Sequence, residues 1–350
     1  MVVERRQIIK RGLPLLLIGL LIFLFYFYVF GGIAGLADVV AELQTANLFY
    51  YSLTFISIVL SILFYSLAWH RLMSLLSIET TFRKAFLYVW VGNFVDILVP
   101  VEAVSGEVSK AYLMSKNSNV NSGKVVASIV SHRILSMTVT LGGLIISSVF
   151  FILKYKPPEL ILDFVIVIAS CTALSIILLV YLSVREQTTR KFVNWVISLV
   201  ARFSRGRWKL TTLRSKAQKM LKAFHQGIEI LTRNPRGLAG PVVFSMAAWF
   251  FDLLIAFLVF TSIDFEISLS AIIMVYSISV ALQTIPIGIP GEVGFMEIAM
   301  TALYTLLGVP IVVSVAATVL TRVVTLWFKL VVGYAAVQWI GIKVLMGGTQ

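Results

Sequence analysis

The feature that most constrains this chain is the length of its apolar runs. Residues 14–34, 47–68, 125–151, 161–183, 238–261 and 311–341 are each long and apolar enough to cross a bilayer, which takes about 20 residues of helix. Only helices or a closed barrel satisfy every backbone group inside lipid. Runs of this length predict helices. Charged residues make up 13% of the chain, against about 25% in a typical soluble domain, and 59% are hydrophobic. The sequence therefore predicts an all-α polytopic membrane protein. No small-residue cleavage site follows the first apolar run, so that run is expected to remain as a span.

Two further apolar stretches, 85–100 and 268–286, end in breaks. The second break reads IPIGIPGEVGFME over 285–297, with prolines, glycines and two carboxylates between apolar blocks. A charge at the centre of a membrane helix costs about 2.5–3.5 kcal/mol on insertion scales, so protein or water must surround this stretch.

Charge placement suggests a topology. From 185 to 236 there are thirteen Lys or Arg against Glu186 and Glu229. The positive-inside rule places this segment in the cytoplasm, where nucleic-acid binding is not needed to explain it. Residues 191–203 read as an amphipathic helix at the membrane interface, and 213–231 as a second, largely solvated helix. The N-terminus, with Arg5, Arg6, Lys10 and Arg11, reads as cytoplasmic too. With 185–236 inside, 85–123 and 268–307 must each cross an even number of times. Each is expected to be a re-entrant broken-helix hairpin. The outcome is about six full spans plus two hairpins in an inverted repeat, repeat one near 47–151 and repeat two near 238–341. Residues 1–350 form one integral membrane domain, and both termini are cytoplasmic.

The residues pair across the halves. Asn93 stands seven before Pro100, as Gln283 does before Pro290. Glu107 stands 26 before Arg133, and Glu297 stands 25 before Arg322. Inverted repeats with discontinuous helices mark transporters that bind cargo near the midplane. Half-helices restarting after a break present N–H groups that attract anions. Arg133 and Arg322 suit phosphate by their bidentate geometry. Glu107 and Glu297 suit pairing with them, accepting from a headgroup, or carrying a proton. Glu102 and Glu292 lie nearer the hairpin tips. Asp96 and Asp252 lie at membrane depth, Asp252 without a counterpart in the first half. His132 adjoins Arg133 and reads as a polar interior residue or a titrating one. Lys110 and Lys329 read as snorkelling, and Cys171 as a small core residue. Together, His70, His132, His225 and Cys171 have no metal-ligand spacing, and Gly288, Gly291 and Gly294 lack the strand–helix unit of a dinucleotide site. No cofactor is expected.

PVEAVSGE (100–107) with SHR (131–133), and IPGEVGFME (289–297) with LTR (320–322), resemble the two signature regions of the flippase-like membrane proteins, the family of the lysylphosphatidylglycerol synthase transmembrane region. The resemblance covers roughly 10–341. It implies a polytopic bundle with re-entrant helices that moves lipids between leaflets. By position it carries over Pro100, Gly106, Glu107, Arg133, Pro290, Gly291, Gly294, Glu297 and Arg322, with Ser105 where many members have glycine. No soluble aminoacyl-transferring domain is expected within the chain, and nothing in it points to lysyl transfer.

The expected function is non-enzymatic translocation of a phospholipid or polyprenyl-phosphate-linked lipid across the cell membrane. The expected partners are membrane lipids, anionic or phosphate-bearing, and not nucleic acid. The alternatives are a secondary transporter of a small solute and a membrane-embedded lipid-phosphate transferase.

Overall fold

The computed structural model describes residues 21, 25, 32, 35–99, 104–117, 120–155, 159–203, 210–285 and 287–345. Most of the expected first span, together with Pro100 and Glu102, lies outside them. Among the described residues every regular element is helical. In chain order these are α1 (Leu36–Gln44), α2 (Leu48–Leu75), α3 (Phe82–Leu98), α4 (Ser105–Asn117), α5 (Ser122–Tyr155), α6 (Glu159–Val184), α7 (Glu186–Phe203) and α8 (Leu210–Arg233). A short turn at Pro235–Leu238 leads into α9 (Ala239–Ser262), followed by α10 (Leu269–Leu282), α11 (Phe295–Leu306), α12 (Ile311–Arg322) and α13 (Lys329–Leu345).

Among the described residues, five stretches are long and apolar enough to cross a membrane: Leu48–Leu75, Ser122–Lys154, Leu162–Val184, Pro235–Ser262 and Ile311–Gly341. They coincide with five of the six spans read from the sequence. The protein is a multi-pass membrane protein. Its outer surface fits lipid, with Ile146, Phe150 and Leu153 of α5 and Leu174 and Ile177 of α6 exposed. Hydroxyls within these helices turn back on their own carbonyls, as Ser66 does to Ile62 and Ser148 to Leu144. Both hydroxyls are buried, and the bond to the helix's own carbonyl satisfies them there.

The centre of the bundle is α2 packed along α9. Ser57 Oγ donates to the Phe251 carbonyl at 2.7 Å, and Phe64 stacks on Phe251 with ring centroids 5.5 Å apart. Trp69 Nε1 ties α2 to α5 by donating to Ser128 Oγ at 3.0 Å. By contrast, α6 touches its neighbours along a narrow stripe that includes Val165 and Ile168. Cys171 falls off that stripe and is exposed, so it is a surface residue rather than the expected core one.

The basic segment forms α7 and α8. In α7, Phe192 and Trp195 are exposed and stack on each other on one side of the helix. The second helix is not largely solvated, as its composition suggested. Leu221, Phe224, Ile228 and Leu231 of α8 are buried with Leu76, Val125 and Ala127. Close approach to α5 is possible because two glycines lie in the contact. A Cβ on Gly123 would collide with the Met220 carbonyl, and one on Gly227 would come within 2.8 Å of Ala127 Cβ. Lys216, Lys219 and Lys222 keep the opposite face of α8 exposed.

Four helices flanking the two breaks are short. They are α3 with 17 residues, α4 with 13, α10 with 14 and α11 with 12. At about 1.5 Å per residue they reach roughly 18–26 Å, less than the roughly 30 Å hydrocarbon core. Helix α4 runs back along α3: Asp96 meets Ser105 and Gly106, and Gly92 lies against Lys110. Between α10 and α11 the backbone takes positive φ at Gly288, Gly291, Glu292 and Gly294. Glycine adopts that region freely, whereas Glu292, at φ 51°, is held there by its surroundings. This turn touches the end of α3, where a Cβ on Gly291 would lie 3.3 Å from Ile97 Cγ2 and 2.8 Å from Leu326 Cδ1. After α12 the chain widens into a π-helical stretch, Val323–Phe328, before α13.

Candidate functional site

Polar side chains scattered along eight helices converge on one cavity of about 290 Å³. Six of these contribute residues three, four or seven apart, which places them on one face. Ser61 and Tyr65 come from α2, Asn93 and Asp96 from α3, and His132, Ser136 and Thr140 from α5. Ser245, Trp249 and Asp252 come from α9, Tyr276 and Ser279 from α10, and Gln283 from the residue that caps α10. The end of α12 and the π-helical stretch bring Arg322 and Thr325, and α13 begins with Lys329. Glu107 and Lys110 of α4 and Arg133 of α5 complete the charged lining.

On the side of the second break, Arg322 Nε donates to Glu297 Oε1 at 2.7 Å, and its terminal NH2 donates to the Gly291 carbonyl at 2.6 Å. The other carboxylate oxygen of Glu297 accepts from the Gly294 N–H at 2.6 Å. One guanidinium and one carboxylate thus fasten both sides of the turn. Both side chains are buried, so the pair persists only because each charge has a partner and further hydrogen bonds. Glu292 is buried within the same turn and is not part of the cavity wall. Gly291 and Gly294 supply a carbonyl, an N–H and positive-φ backbone.

The first break is fastened differently. Asp96 Oδ1 accepts from the Gly106 N–H at 2.6 Å and from Ser105 Oγ at 2.7 Å, which caps the start of α4. A Cβ on Gly106 would strike the Asp96 carboxylate and the Gly92 carbonyl, so glycine is required there for packing. Glu107 pairs with Lys110, not with Arg133: Lys110 Nζ lies 2.8 Å from Glu107 Oε2. Tyr65 Oη donates to Glu107 Oε1 at 3.3 Å, and Lys110 Nζ donates to Tyr65 Oη at 3.4 Å. Lys110 is buried over the rings of Tyr65 and Trp69, so it does not snorkel. At both breaks the N–H groups of the restarting helix are therefore met by the protein's own carboxylates, Asp96 and Glu297.

The remaining charges are distributed unevenly. Asp252 accepts from Tyr276 Oη at 3.0 Å, and Ser61 lines the same cavity. Among the described residues, Arg133 and Lys329 have no carboxylate within 4.0 Å. His132 is buried edge-on to Tyr65, with ring centroids 4.1 Å apart, and its Nε2 has no partner.

Of the residues singled out in the sequence, Asn93, Asp96, Glu107, His132, Arg133, Gln283 and Arg322 line the cavity. Glu297, Gly291, Gly294 and Gly106 stand directly behind the wall and fix the breaks. Lys110, Asp252 and Lys329, given lesser weight in the sequence, belong to it. Tyr65, Tyr276 and the serines Ser61, Ser245 and Ser279 were not singled out. Their signal was present as polar-tipped residues at helical spacing within apolar spans, among them Ser245, Trp249 and Asp252.

Comparison with known proteins gives a consistent relationship. A family model described as the lysylphosphatidylglycerol synthase TM region matches residues 16–333. A UPF0104 membrane protein of Methanothermobacter thermautotrophicus is 23% identical over 312 residues, covering 89% of this chain and 91% of that protein. One from Pyrococcus horikoshii is 23% identical over 305 residues, covering 86% and 90%. One from Methanocaldococcus jannaschii is 24% identical over 305 residues, covering 86% and 88%.

Proposed function

The chain belongs to the lysylphosphatidylglycerol synthase transmembrane family, and on that premise we propose that it is a lipid translocase. The cargo headgroup enters the cavity from one leaflet and leaves to the other, with the acyl or prenyl chains remaining in the bilayer. The observation that carries this reading is a guanidinium, Arg133, lining a polar cavity at the heart of an apolar bundle without a carboxylate partner among the described residues. An unpaired charge inside a membrane protein is costly and points to a polar cargo. Arg133 holds the phosphate in this reading, with Lys329 as a second cation. Arg322 holds the second break in shape, and Glu107 offsets Lys110.

The architecture we propose is the inverted repeat, 47–151 against 238–341, with α3–α4 and α10–α11 as re-entrant hairpins. Two features support it. All four helices are shorter than the hydrocarbon core, and a carboxylate caps the restarting helix of each pair. The same reading puts the protein in the cell membrane, with both termini and 185–236 in the cytoplasm. It assigns no catalytic step.

Reconstituted into liposomes, the protein is expected to speed exchange of a fluorescent phospholipid between leaflets, read by quencher accessibility. Arg133→Gln should slow that exchange roughly tenfold or more, as for loss of one charge-assisted hydrogen bond. Arg133→Lys should fall between. Wild-type protein that moves no lipid but takes up a soluble solute would replace this reading with that of a small-solute carrier.

A further inference from the structure

The cavity wall carries cations and carboxylates that are not paired with one another. Among the described residues, Arg133 and Lys329 have no carboxylate within 4.0 Å, and Asp96 and Asp252 have no cation within that distance. The two carboxylates differ in what they do for the fold. Asp96 caps α4, accepting from Ser105 Oγ and the Gly106 N–H. Asp252 caps nothing. It lies in the middle of α9, thirteen residues after Ala239 and ten before Ser262, so roughly 20 and 15 Å of helix separate it from the two ends. Tyr276 Oη donates to its Oδ2 at 3.0 Å, which leaves Oδ1 to take a proton. A carboxylate at this depth with no countercharge in contact is costly while ionised, and protonation removes that cost.

The neighbours of Asp252 narrow what governs its charge. Helix α9 packs against α2, α5, α10 and α12. Tyr65 of α2 donates to Glu107, which is itself paired with Lys110 of α4, and Arg322 at the end of α12 is paired with Glu297. His132 of α5 lies edge-on to Tyr65, next to Arg133. Tyr276 of α10 is the neutral donor already described. The charge that acts on the Asp252 carboxylate is the Lys329 ammonium, from beyond 4.0 Å. Asp252 and an incoming phosphate therefore compete for one cation. A phosphate drawn to Lys329 takes from Asp252 the charge that favours its ionised form, and the neutral acid gains. The linkage is reciprocal: protonation of Asp252 releases Lys329 and tightens the hold on the anion.

We propose that Asp252 is a proton site coupled through Lys329 to the binding of an anionic headgroup, so that each phosphate enters the cavity together with a proton. This rests on the translocase reading and gives it an energy source, a difference in pH across the membrane. The proton comes from the water phase to which the cavity opens and is carried on Asp252 Oδ1. It returns to water when the phosphate leaves on the other side.

The test uses the full chain in detergent and a short-chain phosphatidylglycerol, whose phosphate charge comes without a titrating amine. Calorimetry in two buffers of different ionisation heat reads the protons taken up on binding. The wild type should take up a proton, and its affinity should rise about fivefold or more as the pH falls through the titration of Asp252. Asp252→Asn mimics the neutral acid, and its amide oxygen can still accept from Tyr276. It should bind with the acid-limit affinity at every pH and take up no proton. Lys329→Gln removes the cation that links the two sites and should abolish the uptake as well, whereas Asp252→Glu should keep it. Wild-type binding without proton uptake overturns the inference, as does no binding at any pH; neither result depends on a variant that folds. A pH dependence that survives intact in Asp252→Asn overturns it too. In liposomes, leaflet exchange that ignores pH overturns the coupling and leaves the translocase reading standing. Proton-linked binding without leaflet exchange does the reverse.

Discussion

Arg322 and Arg133 show how one residue type at matched positions takes two roles. Arg322 is fully committed to Glu297 and the Gly291 carbonyl. Removing it strands a buried carboxylate, which costs about 3–5 kcal/mol where a buried ion pair is broken on one side. Arg322→Met is therefore expected to lower the thermal midpoint in detergent sharply. The double substitution Glu297→Gln/Arg322→Met should recover much of that loss, because no bare charge remains and the amide oxygen can still accept from Gly294. Thermal unfolding followed by tryptophan fluorescence checks the difference. The sequence showed both arginines and their spacing from Glu107 and Glu297. It did not show that Lys110, one helical turn after Glu107, would take the first carboxylate. At three residues' separation on one helix, that pairing needs no tertiary fold, and it leaves Arg133 without the partner its spacing suggested.

At the level of elements, the long spans were legible because an apolar run of this length has one solution in lipid. The breaks were legible from proline and glycine. What composition could not reveal was which side of an amphipathic helix finds a protein partner. The lysines of α8 suggested a solvated helix, yet its apolar face seals against α2 and α5. The deciding signal is the small residues Gly123 and Gly227, whose meaning depends on a neighbour distant in sequence. A β-branched side chain at Gly123 should push α8 off α5, since Cβ would run into the Met220 carbonyl. Gly123→Val is expected to speed amide hydrogen exchange across α8 while leaving the α2–α9 pair at its wild-type protection. Uniform loss of protection through the whole bundle would instead mean that α8 is integral to the central packing.

For the molecule as a whole, apolar side chains clothe the outside and polar ones gather within. That arrangement follows when the solvent is hydrocarbon. Polar stripes on α2, α3, α5, α9 and α10 are each too sparse to stand out in one span, and become a site only when the bundle closes. The cavity was thus the least legible feature of the sequence, although its charged members were visible one by one. Orientation is the expectation that belongs at this scale. Single cysteines introduced at Lys191 and Lys216, in a background with Cys171→Ser, should react with a membrane-impermeant maleimide only after cells are opened. Labelling of intact cells at either position would reverse the proposed sidedness of the bundle.

The contact between Ile97 and the turn at Gly291 has a mechanical consequence. Each interruption is the other's doorstop. If one swings aside, Ile97 and Leu326 lose the surface they rest on, unless the opposite tip follows to cover them. A continuous pore through the bilayer would need both to retreat together and bare those side chains to water. On the proposed translocase reading, the two tips are expected to move as a pair and so to keep leak low.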